Sequence, residues 1–430
     1  MKIFFLLILI SICFPQATSL PLYGAGELVG NQDVSTIGLG NGTFYSGNKY
    51  EISLSSPSSL WKTSYTRFSI NSGINFLKIP SYSEQFQHNL THFSVLFPLG
   101  NNNAFGFGLK PTYRTNTIEI NQDFEFVGAN VSTTSLPVAC QKSYFLKGGI
   151  SDFFLQYSFK YNSKFSFGLQ YSFLFGNQTV EERRYTYDIQ IDSLPPESNQ
   201  IAIHEFFHDD ELYYIYEQGS EITYLKNSNK YLGSRVILEN KYVNDRHEFT
   251  FRAAIDGKLA IQKTDMQNTL DTVYYNNYDY TVNNKISELA LGYHYRKMDD
   301  LGMVLESKII FPLDLPENVA LFNSSSPEER SFHFGFYKKV VNPKFSLWNN
   351  MNLRGGFYLK ELNFYENKFS DFGFTLGFGI EYLANSQSFD IAFKSGKRES
   401  LIVNGKYENY FSIYLGIITG EKWFMKRRRK

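Results

Sequence analysis

The most suggestive chemical motif in this chain is a pair of histidines four positions apart. His204 and His208 enclose Glu205 in the stretch HEFFH, which matches the H-E-x-x-H zinc pattern. That pattern works on a helix, where residues four apart rise about 6 Å along one face and share one metal. Here Pro195-Pro196 precede the motif and LYYIYEQG follows it, and these flanks favour a strand or loop. In a strand the two Cβ atoms would lie about 13 Å apart. We therefore predict no metal site and no cofactor, with adventitious surface binding by His204 and His208 as the alternative.

No other arrangement for catalysis stands out in the sequence. It contains no glycine-rich phosphate loop, no cysteine cluster and no clear Ser/His/Asp arrangement. We therefore predict that the protein is not an enzyme, and a hydrolase triad built into the fold is the remaining enzymatic alternative. Lys+Arg and Asp+Glu both number 42, so net charge gives no reason to expect nucleic acid as a partner.

An unusual aromatic content indicates the type of secondary structure that must position any site. Phe, Tyr and Trp number 41, 31 and 3, together 17% of the chain, yet the mean hydropathy is only −0.30. A helical membrane protein would show long apolar runs and a positive mean hydropathy. A transmembrane β-barrel would not, because each strand faces lipid with only every second residue.

One apolar run stands out, at the N-terminus. It extends from Ile3 to Phe14 and is too short to span a bilayer as a helix, which needs about 20 residues. The charged start, the apolar middle and Ala17-Thr18-Ser19 predict a secretory signal peptide over residues 1–19. The mature chain then keeps Cys140 as its single cysteine, so no intrachain disulfide can form.

Alternation with a period of two residues runs through most of the chain. Phe, Leu and Ile alternate with Gly, Ser, Thr or polar residues in residues 165–176, 372–382 and 411–417. Each stretch is therefore typical of a strand with one apolar and one small or polar face. A β-sandwich would explain a few such strands, but a two-sided pattern from end to end favours lipid-facing aromatics around a polar lumen. The predicted fold is all-β, a transmembrane antiparallel β-barrel of about 14 strands in the outer membrane of a Gram-negative-type bacterium. We expect the following polar residues to face the lumen: Lys110, Arg114, Lys160, His294, Arg296, Arg354 and Asp390.

The spacing of turn residues supports a barrel. Tight turns are predicted near residues 100–103, 162–164, 227–229, 298–300, 342–343 and 384–387, and longer polar stretches at 123–139, 188–210 and 314–330. Short turns on one side and long loops on the other are the layout of outer-membrane barrels. The barrel is predicted over residues 61–425 and a basic periplasmic tail over residues 426–430. That tail is either simply solvated or attracted to anionic lipid headgroups.

Residues 20–60 precede the first clear strand and have a different character. The stretch IGLGNGTFYSGNKYEISLSSPSSL is rich in Gly and Ser and shows no sustained period. A barrel wide enough to hold a lumen has room for such a segment, so we predict an N-terminal plug. The alternative is an ordered loop in the periplasm.

Two stretches resemble the FadL-like outer-membrane transporter family. STIGLGNGTFYSGNKYEISLSSPSSL resembles its N-terminal hatch, with Ser56-Pro57-Ser58 where the family has Asn-Pro-Ala. DFGFTLGFGIEY, FDIAFKSGKRES and ENYFSIYLGIITGEKWFMKRRRK resemble its last three strands. The resemblance implies a 14-stranded barrel for passive uptake of hydrophobic or amphipathic molecules, such as fatty acids or aromatics.

The resemblance also implies partners. These are a hydrophobic small-molecule ligand, outer-membrane lipids, and the barrel-assembly machinery engaged through the C-terminal strand. The alternative function is an accessory or structural barrel, a secretion or surface-anchoring partner without small-molecule transport.

A single proline interrupts a clear alternation. Pro111 follows Phe105, Phe107 and Leu109, and proline cannot donate to a ladder, so it marks an edge or a bulge. If the following loop closes symmetrically, Gly148-Gly149 faces Pro111 and weakens the wall at the same level. The alternatives are a small lateral opening and a harmless bulge. The resemblance favours the opening, because the family places a lateral exit at its third strand, and the candidate exit residues are Pro111, Gly148 and Gly149.

Overall fold

The alternating stretches of the sequence form the strands of a closed β-barrel. The computed structural model describes residues 24–29, 33–45, 55–78, 85–115, 119–121, 125–127, 138–188, 190–191, 204–208, 211–215, 220–269, 273–298, 301–317, 319, 324–339, 351–364, 367–382, 387–400 and 405–421. The predicted signal peptide (residues 1–19) and the predicted basic tail (residues 426–430) lie outside the described residues.

Fourteen antiparallel strands make up the wall, which confirms the predicted fold class. Each strand pairs with its neighbour along the chain, and the last strand pairs with the first, from Thr66↔Glu421 to Lys78↔Asn409. The C-terminal alternation is therefore the strand that closes the ring and leaves no open edge there. The strands are β1 (Thr66–Lys78), β2 (Gln85–Pro98), β3 (Asn103–Thr115), β4 (Val138–Lys160), β5 (Phe165–Asp188), β6 (Ser220–Asn244), β7 (His247–Asp256 and Leu259–Thr269), β8 (Val273–Val282 and Lys285–Met298), β9 (Leu301–Ile310), β10 (Glu328–Lys338), β11 (Met351–Phe364), β12 (Asn367–Tyr382), β13 (Gln387–Glu399) and β14 (Tyr407–Glu421).

The two faces of each strand differ as the alternation predicts. On β5, Phe167 and Phe173 are exposed on the outside, whereas Gln170 and Ser172 are buried within the barrel. Exposed aromatic and aliphatic side chains recur outside most of the other strands, for example Phe153, Phe249, Leu291, Phe336, Leu359 and Phe374. A surface this apolar is suited to the hydrocarbon of a bilayer rather than to water.

One irregular region of the wall lies in β6 to β8. The strands β7 and β8 are each interrupted, at residues 257–258 and 283–284, and their two halves continue in line. The tight turn predicted at residues 227–229 is wrong. Asn227 lies inside the long β6 and pairs with Val180 on one side and Asp265 on the other. Two full ladders outweigh the turn preference of an Asn-Ser-Asn sequence, because propensity is a weak local term.

The connections divide the barrel into two ends. The short connections at residues 99–102, 161–164, 245–246 and 299–300 lie at one end, and the longest, residues 116–137, 189–219 and 311–327, lie at the other. This is the predicted layout of short periplasmic turns and long extracellular loops. Within the extracellular loop 189–219, Gln190–Ile191, His204–His208 and Glu211–Ile215 form a separate small sheet.

Three described stretches precede the first strand. We call residues 24–29 the N-terminal segment, and we call the two stretches that lie inside the ring of strands the plug segments (residues 33–45 and 55–63). The first contains a short helix, Val34–Ile37, capped by Asp33, whose carboxylate accepts from the Ser35 N–H at 3.1 Å. The second contains the 3₁₀-helix Pro57–Lys62. In the part of the chain that the structure describes, no helix is long and apolar enough to cross a membrane.

Candidate functional site

Glu239 of β6 is the first of three buried carboxylates that hold the plug segments. Its Oε1 accepts hydrogen bonds from the Ser56 hydroxyl at 2.5 Å and from the Ser58 backbone N–H at 3.1 Å. Its Oε2 accepts from Nε of Arg252 on β7 at 2.9 Å. Arg252 also donates to the Ser55 carbonyl oxygen. The Ser-Pro-Ser stretch of the plug is thus fixed to two strands by hydrogen bonds to charged groups, which are stronger than neutral ones.

Glu248 of β7 is the second carboxylate and lies close to several cationic side chains near the periplasmic end. Its Oε1 lies 2.5 Å from Arg296 NH2 and 3.7 Å from Lys62 Nζ, and its Oε2 lies 3.4 Å from His294 Nδ1. Burial and the nearby cations Lys241 and Arg296 together lower the pKa of Lys62 to about 8, against the attraction of Glu248. The plug therefore ends on an ammonium that is held close to its point of deprotonation.

Glu306 of β9 is the third carboxylate and binds the plug backbone directly. Its Oε2 accepts from the N–H groups of both Thr43 and Phe44, the latter at 3.2 Å. The plug approaches the wall closely here, at Gly40, which has φ +72°, a conformation that glycine adopts readily. A Cβ at Gly40 would lie 2.2 Å from the Phe334 carbonyl oxygen of β10. Only a glycine lets the plug backbone reach this depth against the wall.

A third segment also enters the lumen, from the loop between β9 and β10. Its Leu313, Leu315 and Val319 are buried against inward-facing side chains of five strands and against the N-terminal segment. This apolar cluster sits towards the extracellular end, above the carboxylates. Its wall residues are Tyr113, Ile150, Leu174, Tyr231, Leu259 and Ile261, together with Ala25.

The wall around β3 combines a bulge with a change of partner. The β3–β4 ladder runs from Asn103↔Phe159 to Thr115↔Gly148, with a register shift between Pro111 and Tyr113. By contrast, the β2–β3 pairing of the described residues ends at Phe93↔Leu109 on the extracellular side. Beyond that level β3 pairs instead with residues of the N-terminal segment, as Glu27↔Arg114 and Leu28↔Tyr113. The discontinuity in the ladders therefore lies on the β2 side of β3.

The predicted exit residues lie at this bulge, but in a different register. Pro111 pairs with Ser151, and Gly149 and Gly148 pair with Arg114 and Thr115. Gly148 and Gly149 have φ values of +105° and +140°, so a side chain at either position would be strained. The extra residue of the bulge inverts the alternation, because a shift of one residue exchanges the faces of a strand. Tyr113 thereby joins the inner cluster and Arg114 takes the opposite face.

Most other predicted lumen residues contact inner groups. Arg354 pairs with Asp390 across β11 and β13 at 2.7 Å, and both are buried. Lys110 lies 3.9 Å from Asp152, and Lys160 lies over the ring of Trp61 in the plug, 4.5 Å from its centroid. His294 and Arg296 join the group around Glu248. His204–His208, the stretch of the metal alternative, forms a strand, which is one of the two conformations that its flanks predicted.

The three carboxylates were missed by the sequence reasoning, although a signal for one of them, Glu248, exists. Glu248 and Arg252 alternate with the exposed Phe249 and Phe251, which marks both charged residues as inward-facing. The neighbouring turns and interruptions obscured this period. That these groups meet the plug could not be deduced, since Glu239 and Ser56 are 183 positions apart in the sequence.

Comparison with known proteins gives one family and a consistent fold. The BamG family model matches residues 1–430. Among solved structures, the Ralstonia pickettii toluene transporter TbuX aligns with TM-score 0.55 and 12% identity, over 92% of this chain and 99% of that one. A Pseudomonas aeruginosa FadL homologue aligns with TM-score 0.56 and 10% identity over the same shares. The CymD monoaromatic hydrocarbon channel aligns with TM-score 0.52 and 11% identity, again over 92% and 99%.

Among curated proteins, none matches the chain in sequence. At such identities the solved structures establish the fold alone, which is the FadL-like fold that the sequence resemblance predicted. The three solved structures that share it are a toluene transporter, a FadL homologue and a monoaromatic hydrocarbon channel. The fold and the apolar outer surface together place the chain in an outer membrane.

Proposed function

The chain belongs to the BamG family, and we propose that it is an accessory barrel of outer-membrane protein assembly that binds protein partners instead of conducting solutes. The family name belongs to the Bam series of the barrel-assembly machinery, and it applies to the whole chain. The fold alone would favour transport, but at 10–12% identity a fold carries many functions.

The observation that carries this proposal is the filling of the lumen. Glu239, Glu248 and Glu306 fix the plug segments to three strands through buried charges. Removing one partner of such a pair costs folding free energy, because the other charge stays buried without compensation. A plug held in this way supports a rigid barrel with a closed lumen. A docking partner needs such a rigid surface, whereas a channel would have to displace the plug to conduct.

Affinity purification and gene deletion together test the proposal. The tagged full-length protein, extracted from outer membranes in mild detergent, is expected to copurify with a barrel-assembly subunit in stoichiometric amount. Deletion is expected to lower the levels of many outer-membrane barrels and to leave uptake of a long-chain fatty acid unchanged. Unchanged barrel levels together with reduced fatty-acid uptake would reverse the assignment.

Passive uptake of hydrophobic or amphipathic small molecules is the second candidate function. The observation that favours it is the discontinuity at β3, where the β2–β3 ladder stops and Glu27–Leu28 takes the place of a neighbour. In this function Pro111, Gly148 and Gly149 shape a lateral exit, and Glu27–Leu28 covers it. Uptake of toluene or a fatty acid by whole cells, with and without the gene, tests it directly.

A further inference from the structure

The extracellular parts of β7 and β8 form a hairpin with a free outer edge. We call its outer strand the edge strand (Val273–Val282). It pairs with Leu259–Thr269, from Leu259↔Val282 to Asn268↔Val273. No other strand in the described ranges pairs with it. Leu259–Thr269, in contrast, also pairs with β6 and so has neighbours on both sides. Within the described part of the chain, one row of backbone donors and acceptors on the edge strand therefore has no strand beside it and can accept a further strand.

This hairpin stands outside the hydrocarbon of the membrane. At its level the outer surface is polar: the Ser228 hydroxyl donates to Asn177 at 3.0 Å, and the Thr264 hydroxyl donates to Asn277 at 2.8 Å, both on exposed surface. Nearer the periplasmic end the same strands carry outward Phe and Leu, such as Phe249. The edge strand thus faces water on the side of the long loops, where a soluble segment can reach it.

The composition of the edge strand is unusual for an unprotected edge. Its sequence VYYNNYDYTV contains one charge, Asp279, and no lysine or proline, the residues that normally prevent strand addition. All residues from 273 to 279 are exposed, so both faces have room for a neighbour's side chains. Tyr274 and Tyr275 are 57% and 64% exposed. Tyrosine is enriched in protein interfaces, since it offers a large, rigid contact area.

We propose that the edge strand is a docking site for an extended segment of a partner protein, which adds to it as a β-strand. Backbone hydrogen bonds supply affinity in this mode, and alternate side chains supply specificity. The segment is mostly uncharged, with side chains that pack on Tyr275 and a basic residue opposite Asp279. The inference rests on the proposed function, because it names the surface that holds the partner.

A second copy of this chain fits the edge less well. Two barrels in one membrane point the same way, so a two-fold axis between them runs along the membrane normal. The two edge strands would then meet in parallel orientation, with both Asp279 carboxylates at the same height. Like charges at such positions are unfavourable, whereas a heterologous strand can carry the opposite charge there.

Photo-crosslinking in intact cells tests the proposal. Benzoylphenylalanine is placed singly at Tyr275 and at Asn277, which share one face, in the full-length protein. The expected result is an adduct from both positions to one partner chain, with attachment sites two residues apart, the spacing of one strand face. Tyr161, an exposed tyrosine at the opposite end, is the matched control position.

The outcomes separate the docking site from the proposed function. Adducts no stronger than those at Tyr161, scattered attachment sites, or attachment to a second copy of this chain would overturn the docking site. A partner strand in register that belongs to no assembly machinery would support the docking site and count against the proposed function.

Charge reversal provides the second test. Asp279→Lys is expected to lower the adduct yield from Tyr275 roughly tenfold, through loss of the charge pair and gain of an edge lysine. Gln267→Lys adds a lysine to the paired strand opposite Tyr274, away from Asp279, and is expected to leave the yield unchanged. Heat-modifiable migration of both variants checks that the barrel is folded. An undiminished yield with Asp279→Lys would contradict the proposal.

Discussion

The two sides of the lumen differ in the groups that hold the plug segments. On β6 to β9 the carboxylates Glu239, Glu248 and Glu306 all bond to the plug segments or to cations beside them. On β2 to β4 the Trp61 backbone N–H donates to the Ser158 hydroxyl at 3.1 Å, and Leu60 packs against Leu96 and Ala104. The plug segments are therefore bound to buried carboxylates on one side of the barrel and to a hydroxyl and apolar side chains on the other.

This difference has a physical consequence for permeation. Buried polar atoms without a partner among the described residues need water, and they occur both on β2 to β4, as at Thr91 Oγ1 and Ser94 Oγ, and on β6 to β9, as at Asn229 Oδ1. The bulge at Pro111 and the end of the β2–β3 ladder, however, lie on the β2–β4 side, away from the three carboxylates. If any solute crosses this barrel, we expect its path along β2 to β4, while β6 to β9 serve as the anchor.

Removal of residues 20–60 is expected to have the largest effect. The deletion removes both plug segments except residues 61–63, together with the Glu27–Leu28 pairing to β3, and it leaves the ladders between the fourteen wall strands intact. We expect the barrel to fold, with heat-modifiable migration, and to conduct small ions in planar bilayers where the full-length protein does not. Equal conductance of the two proteins would mean that the plug segments do not close the lumen.

Loss of one anchor is expected to have the next largest effect. Glu239→Gln removes the charge opposite the buried Arg252 and should destabilise the barrel on the order of 3 kcal/mol. Ser94→Ala, on the other side, removes a hydroxyl without a described partner and should be neutral or slightly stabilising. The measurement is the temperature of conversion from folded to unfolded migration in detergent. Equal shifts for both variants would abolish the distinction between the two sides.

Pro111→Val tests the β2–β4 side as an exit. Valine restores a backbone N–H and favours a regular ladder, so the bulge should diminish. Under the second candidate function, uptake of toluene or a fatty acid falls several-fold. Under the proposed accessory function, uptake and the levels of other barrels both stay at the wild-type value. Gly233→Val, at the irregular part of β6 and β7, controls for general disturbance of the wall.

The smallest expected effect is a pH dependence at Lys62. Its pKa is about 8 in the folded barrel and about 10.5 when unfolded. The unfolded state therefore binds more protons between these values, and Lys62 makes the barrel more stable as the pH rises from 8 to 10.5. Relative to Lys62→Met, the wild type should gain thermal stability over this window. A difference that shrinks, or does not change, would show that Lys62 is not buried beside the cations.

The sequence predicts the wall far better than the contents of the lumen. Strand alternation is a local property, so β5, β12 and β14 are evident from Phe, Gly and Ser at every second position. Turn propensity failed at Asn227, because pairing partners on both sides override it. The predicted pairing of Pro111 with Gly148-Gly149 was wrong as well. A bulge adds one residue to β3, and the assumption of symmetric loop closure cannot anticipate that extra residue.

The anchoring of the plug could not be predicted for a different reason. Contacts such as Glu306 with Thr43 join residues 263 positions apart, and nothing in the local pattern of either stretch specifies the other. The Gly- and Ser-rich composition of residues 20–60 did indicate a segment that can approach a wall closely. Gly40 is the position where that property is used.

A disulfide between the plug and the wall tests the central claim most directly. A Cβ at Gly416 of β14 would lie 3.1 Å from Cβ of Val34 in the plug, within slight adjustment of the separation that a disulfide needs. In a Cys140→Ser background, Val34→Cys with Gly416→Cys should oxidise spontaneously in the folded barrel, as seen by a reductant-sensitive shift in migration. Val34→Cys with Ile413→Cys, whose side chain faces outward, should not. Cross-linking of the inner pair supports a plug held within the lumen, whereas a folded barrel whose inner pair stays reduced would contradict it.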